Sequence, residues 1–194
     1  MVDERVSLPD TLTAPPPESK PSGMRGAIEW IVILVGALIV ALVVKTFLLQ
    51  AFYIPSGSME PTLMIGDRVL VNKVSYDLHD VHRGDVVVFR SPPGEDNPEI
   101  KDLIKRVIGL PNETVEGHDG RVFINGDPLK EPYLPTGTST SSFPPERIPP
   151  GQLWMMGDNR SNSKDSRFFH TVSEDLVVGR AFVKVWPLSQ IGLL

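Results

Sequence analysis

Cysteine is absent from this 194-residue chain, and with it go a disulfide framework, thiolate metal sites and any thiol nucleophile. The absence leaves the redox compartment open, since cytosolic and exported domains both manage without cysteine. Aromatic residues are sparse at 7%, and no stripe of Lys/Arg interleaved with aromatics occurs. Phosphate contacts need such a stripe, so nucleic acid is not an expected partner. Histidine is scarce too: of the four, only His79 and His82 stand at i, i+3 spacing, and no third ligand follows at a recognisable interval. Neither a metal nor any other cofactor is expected. An internal repeat, a convincing amphipathic helix and a second long apolar run are also missing. What is present, with 41% apolar residues, 19 prolines and a formal net charge of -5, suits one ordinary domain with attached segments.

Residues 1–24 carry Pro15-Pro16-Pro17, Pro21 and Ser22-Gly23 among scattered charges, with too few apolar side chains to offset the entropy of ordering. A disordered tail is expected. From Trp30 to Val44 every residue is apolar or glycine, and apolar character resumes after Lys45 through Phe47, Leu48 and Leu49. Residues 25–49 therefore come close to the roughly 20 needed to cross a bilayer, with Glu29 and Lys45 placed to snorkel near opposite ends. A cleavable leader would look similar, but the preceding tail is long and acidic, and Leu49-Gln50-Ala51 makes a poor cleavage site. A helix packed on a soluble core would carry a polar face, which this run lacks. Lys20 and Arg25 before the span, against Lys45 and Arg68 after it, mildly favour a cytoplasmic amino terminus.

Past the span the pattern turns to strands divided by turn signals. Asp67 to Val74 is rich in β-branched residues, Gly84-Asp85 leads into Val86-Val87-Val88-Phe89, and Leu103 to Gly109 follows. A hairpin is expected from Thr114-Val115-Glu116 through Asp119-Gly120 to Arg121-Val122-Phe123-Ile124, with a further turn at Asn125-Gly126. Leu134 to Pro150, rich in Pro, Ser, Thr and Gly, reads as a long exposed loop. Leu153 to Met156 restores order, and Leu176-Val177-Val178 with Ala181 to Trp186 suggests a last strand pair. The expected architecture is mainly β: one transmembrane helix, then an all-β domain over residues 50–194.

Three stretches carry candidate chemistry. In Ile54-Pro55-Ser56-Gly57-Ser58-Met59-Glu60-Pro61-Thr62-Leu63, two prolines fix φ around a permissive glycine, so the serines sit on a stiff turn. A plain turn leaving a membrane anchor would read the same way. A serine hydroxyl needs a base, and Lys105 inside Leu103 to Ile108 is one candidate, because strand alternation puts it on one face with Leu103 and Val107. Keeping a lysine neutral at pH 7 costs roughly 4–5 kcal/mol, which burial can supply; an edge-strand lysine in solvent is the plainer reading. The third stretch, Gly157-Asp158-Asn159-Arg160-Ser161-Asn162-Ser163-Lys164-Asp165-Ser166-Arg167, is almost wholly polar yet follows the apolar Leu153 to Met156 directly. It suits a hydrogen-bonded loop packed against a site, a solvated turn or an oxygen-ligand cation loop without EF-hand spacing.

Together, in this order, these stretches resemble the bacterial type I signal peptidases, the Ser/Lys membrane proteases that remove signal peptides from exported preproteins. Ser56 to Leu63 after an anchor, Arg83 to Phe89, Ile104 to Pro111 and Gly157 to Arg167 carry the resemblance. It covers the anchor and nearly all of the domain, with about 112–152 corresponding to the family's variable second lobe in a small inserted form. The resemblance implies Ser58 as nucleophile, Lys105 as general base, and the Ser56 hydroxyl with the Ser58 backbone N–H as oxyanion donors. It implies Ser163 as the hydroxyl that orients the lysine, with Asp158, Asp165 and Arg167 as a supporting polar network. Phe52, Ile54, Met59, Leu63, Val88 and Ile104 match shallow apolar pockets for small residues at the first and third places before the scissile bond. Leu103 stands where other members carry a tyrosine.

The expected function is a membrane-bound serine endopeptidase acting on signal peptides, with the lipid bilayer as its other partner and its catalytic domain outside the cytoplasm. A self-cleaving repressor would share the Ser/Lys chemistry but has no use for the anchor. A membrane-tethered β module that binds envelope partners without catalysis is the alternative from another class. Ser58 lies nine residues after Leu49, within roughly 30 Å of the expected end of the span, so a nucleophile there works near the membrane surface.

Overall fold

The structure, a computed structural model, describes residues 23–43, 48–93 and 101–194. Helix α1 covers Gly23–Val43. From Ala27 to Val43 every side chain on it is exposed, as expected of a helix apolar all round with no core to face. It is long and apolar enough to cross a membrane. The expected tail lies outside the described residues, except that Gly23 and Met24 begin the helix. Lys45 also lies outside them. The span was expected to run to Leu49; α1 is described over Gly23–Val43, and Leu49 itself opens strand β1, Leu49–Tyr53. An unbroken apolar run does not reveal where 3.6-residue periodicity gives way to a strand.

The β unit continues with β2 Arg68–Asn72, α2 Ser75–Leu78, β3 Val86–Arg90, β4 Asp102–Gly109, β5 Thr114–His118, β6 Arg121–Ile124, β7 Asp127–Pro128 and β8 Phe143–Arg147. After these come β9 Gln152–Met156, α3 Ser166–Phe169, β10 Val172–Ser173, β11 Val177–Trp186 and β12 Gly192–Leu193. Eight strands form one sheet in the order β1-β2-β11-β3-β4-β9-β10, with β12 on β11; β7-β6-β5-β8 form a smaller sheet. Among the described strands every pairing is antiparallel.

The large sheet curls. Phe52 on β1 and Ile104 on β4 pack on one cluster with Ile54, Met59, Leu63, Val69, Val71, Val86, Val88 and Ala181, although β2, β11 and β3 lie between those strands. A second cluster gathers Val87, Phe89, Val107, Leu153, Met155 and Val172, with Leu103 packed against it. Strand β3 supplies both clusters, which explains its unbroken valines: a strand buried on two faces has no polar alternation. A third cluster of Ile108, Val115, Val122, Ile124, Ile148, Trp154 and Met156 joins β4 and β9 to the small sheet.

Two expectations are corrected. Leu134 to Pro150 is not a continuous exposed loop, since Phe143–Arg147 forms β8, paired with β5, and both Thr140 and Ile148 are buried. Pro144 and Pro145 disguised it. Proline is tolerated at a sheet edge or irregularity, and the register shifts between Val115 and Gly117 where these prolines lie. The last strand pair is one strand, β11, running straight through Gly179. That glycine is a close approach rather than a break, because a Cβ there would sit 2.3 Å from the Asn72 carbonyl oxygen.

Ile148 tests the first correction. Its side chain is fully buried, so Ile148→Ala lowers unfolding free energy by roughly 2–5 kcal/mol, whereas a loop residue would change it by less than about 0.5 kcal/mol. Urea unfolding of the purified protein distinguishes the two.

Candidate active site

Ser58 sits in a single 3-10 turn, Gly57–Met59, entered from an extended Ser56 at φ -132° and ψ 154°. Several contacts hold this turn rigid. Ile54 donates its N–H to Asp67 O and accepts from Gly66 N–H, each at 2.9 Å, while Met59 and Leu63 anchor the turn in the core. From the far side Asn159 donates its backbone N–H to Ser58 O at 3.1 Å and its Nδ2–H to Gly57 O at 3.0 Å. Ser58 is 7% exposed; Ser56 is exposed beside it.

Lys105 comes from β4, where it stands opposite Val87. Its Nζ lies 2.7 Å from Ser58 Oγ and 3.1 Å from the Ile104 carbonyl oxygen. At 3% exposure this is not the edge lysine that local pattern favours. Burial pulls its ammonium down to about 8, against Asp165 and Asp158, whose carboxylates favour the charged form. Roughly a tenth of the amines are then neutral at pH 7. A charged Nζ donates to Ser58 Oγ; a neutral one presents its lone pair to the hydroxyl proton, which is the geometry a general base requires.

The polar stretch after β9 is a packed loop, and arginine–carboxylate pairs hold it. Arg106 donates to Asp158 from Nε at 2.9 Å and from Nη2 at 2.6 Å, gives Nη1–H to Gly84 O, and stacks 4.0 Å over the Tyr133 ring. Thr62 Oγ–H also reaches Asp158, at 2.5 Å, tying the loop to the serine turn. Asp165 takes two bonds from the Arg167 guanidinium, both at 2.8 Å, one from the Arg167 backbone N–H at 3.3 Å and one from the Gly157 N–H at 3.0 Å. Arg160 pairs with Glu131 and donates to Thr140 and to Gly157 O. Buried pairs of this kind add little net stability, since desolvation offsets attraction, but breaking one leaves a stranded charge. Their effect here is to fix positions.

Ser163 behaves differently from what the resemblance implied. Its Oγ is buried with no hydrogen-bond partner, and no bond to Lys105 is formed. It lies close by: a Cβ built on Gly157 would stand 2.3 Å from Ser163 Oγ and 2.4 Å from Ser58 O. The glycine is thus wedged between the two serines. Among the residues matched to substrate pockets, Ile54, Met59, Leu63 and Val88 lie wholly in the core, while Phe52 and Ile104 keep partial exposure.

Arg106, Glu131 and Asn159 carry much of this framework and were assigned no role in advance. Arg106 had a legible signal, because an arginine inside an apolar strand requires a buried counter-charge. Glu131 had none; only the fold brings it to Arg160.

One further feature is open. Strand β4 pairs with β3 along Asp102–Arg106, but β9 joins it only from Arg106 onward. On that side Asp102 to Lys105 pair with no other strand among the described residues and lie beside Phe52 and Ser58, an edge to which an extended peptide can add as a strand. A serine hydroxyl 2.7 Å from a buried, partly neutral amine beside a free strand edge is an arrangement capable of serine hydrolase chemistry.

The family model for signal peptidases of the peptidase S26 family matches residues 27–186. This chain is 41% identical to signal peptidase I of Leptolyngbya laminosa, over 96% of its own length and 93% of that protein. It is 42% identical to probable signal peptidase I-2 of a Synechocystis species, over 83% and 74% of the two chains, and 34% identical to signal peptidase I of Mycobacterium tuberculosis, over 95% and 81%. The chain belongs to the S26 signal peptidase family.

Two outcomes follow from the geometry. Only deprotonated Lys105 can take the Ser58 proton, so the rate of Ser58 acylation by a peptide substrate rises with pH and levels off above about 8, the value to which burial brings the amine. A pre-steady-state pH series reads this directly. Gly157→Ala displaces Ser58 or Ser163, both within 2.4 Å of the added carbon, and lowers kcat/KM roughly a hundredfold while circular dichroism still reports a folded chain.

Proposed function

We propose that this protein is a membrane-anchored endopeptidase that removes amino-terminal signal peptides from exported preproteins at small-x-small sites, with Ser58 and Lys105 as its dyad. The observation that carries this reading is the 2.7 Å contact between Lys105 Nζ and Ser58 Oγ, in surroundings dry enough to hold the amine near 8. Residues before the scissile bond lie along the free edge of β4 between Phe52 and Ile104. Shallow apolar pockets over Ile54, Met59, Leu63 and Val88 would accept alanine-sized side chains and reject larger ones by overpacking.

Neutral Lys105 takes the Ser58 proton as Oγ attacks the carbonyl carbon. The carbonyl π pair moves onto oxygen, where the Ser58 N–H and the Ser56 hydroxyl stabilise it. Collapse of the tetrahedral intermediate expels the leaving amine, which takes its proton from the Lys105 ammonium, and the acyl chain stays on Oγ as an ester. Water then attacks that ester, giving its proton to Lys105, which returns it to Ser58. One residue does in sequence what histidine and aspartate share in a triad. The Asp158, Asp165 and Arg167 pairs hold the loop that carries Ser163 against the serine turn.

Helix α1 anchors the chain in the cell membrane with its amino terminus in the cytoplasm and the β unit outside. The exposed apolar helix, long enough to cross a bilayer, supports the anchor.

The test is cleavage by the full chain in detergent with added lipid of a preprotein carrying Ala-Xaa-Ala, followed by amino-terminal sequencing of the product. Wild type cleaves after the second alanine, and Ser58→Ala and Lys105→Ala each lose at least roughly a thousandfold. Unimpaired Lys105→Ala means another base. No cleavage by folded wild type points to a tethered binding module.

A further inference from the structure

Against the serine turn lies a cavity of about 510 Å³. The serine turn forms one wall through Glu60 and Pro61, the loop after β9 a second through Asn159 and Ser161, and Pro135–Ser139 of the small-sheet region a third. Its place against the nucleophile is fixed, because Asn159 bonds both the Gly57 and Ser58 carbonyl oxygens.

A peptide that adds to β4 cannot keep following that strand past Lys105, since β9 takes up the edge from Arg106 onward. The chain beyond the scissile bond must turn away at Ser58. The cavity adjoins that turn, since Asn159 on its wall is bonded to Gly57 and Ser58.

The charges lining this space are unequal. Asp158 is neutralised by Arg106, and Arg160 by Glu131. Glu60 differs: among the described residues its carboxylate takes part in no hydrogen bond or ion pair. It lies over the turn itself, with Oε1 3.0 Å from where a Cβ on Gly57 would stand. It is only partly buried and lines the space.

We propose that this cavity binds the first residues of the mature protein, and that Glu60 selects among them by charge, favouring a basic residue there over an acidic one. The inference rests on the peptidase reading and adds a specificity-determining residue to it. Opposite charges a few ångströms apart in partly hydrated surroundings give a preference of roughly 5- to 20-fold, which salt weakens.

The experiment uses the full chain and two peptides with Ala-Xaa-Ala before the scissile bond, one with lysine and one with glutamate at the second place after it. The ratio of kcat/KM for the two is read within each enzyme, so loss of overall activity does not disturb it. Wild type favours lysine by roughly 5- to 20-fold, and in Glu60→Gln the ratio falls to within about twofold of unity. Thr138→Glu, which adds a charge to the facing wall, raises it. A wild-type ratio near unity overturns the proposal, as does a preference that survives in Glu60→Gln or fails to grow in Thr138→Glu. These outcomes all require cleavage; absence of cleavage by wild type would overturn the peptidase reading itself, and this one with it.

Discussion

A lysine amine taken out of water and set against a serine hydroxyl is the interaction on which the rest of this structure depends. Burial alone makes Lys105 a usable base, and two carboxylates nearby work against it. Desolvation wins because those carboxylates are already matched: Asp158 is paired with Arg106 and Asp165 with Arg167. Were either left single, its field would favour the ammonium and withdraw the base. The arginines therefore serve the chemistry without touching it, by screening the acids that position the loop.

The fold delivers the two partners by separate routes. Lys105 is placed by β4, a strand flanked on one side along its whole approach by β3. Ser58 is placed by a short turn whose apolar residues, Met59 and Leu63, are driven into the cluster inside the curled sheet. Because β9 begins its pairing one residue past Lys105, the same strand that carries the base offers its free edge to a peptide. Rigidity at the dyad and openness beside it thus come from a single register.

Much of this was legible in the chain. The stiff Pro-Ser-Gly-Ser turn, the apolar strand around Lys105 and the polar loop after Met156 each imposed a local demand that the fold meets, and β2, β3 and β4 appear close to where β-branched runs placed them. What escaped depended on distant partners or on misleading local chemistry. Pro144 and Pro145 hid β8, whose pairing with β5 is decided by register rather than propensity. Leu49 looked like the end of a span because apolar residues suit lipid and a strand equally. Ser163 was matched to Lys105, yet its hydroxyl stands unpartnered beside Gly157, since a side chain's neighbourhood can be read from a motif but its hydrogen bond cannot.

The central claim concerns one proton. Titrating the Lys105 side chain by NMR in protein with isotope-labelled lysine, with the resonance assigned by its loss in Lys105→Met, follows that proton without any substrate. The account predicts a midpoint about 8. A midpoint near the ordinary 10.4 of a solvated lysine would mean that the amine is not desolvated, and would contradict the mechanism built on it.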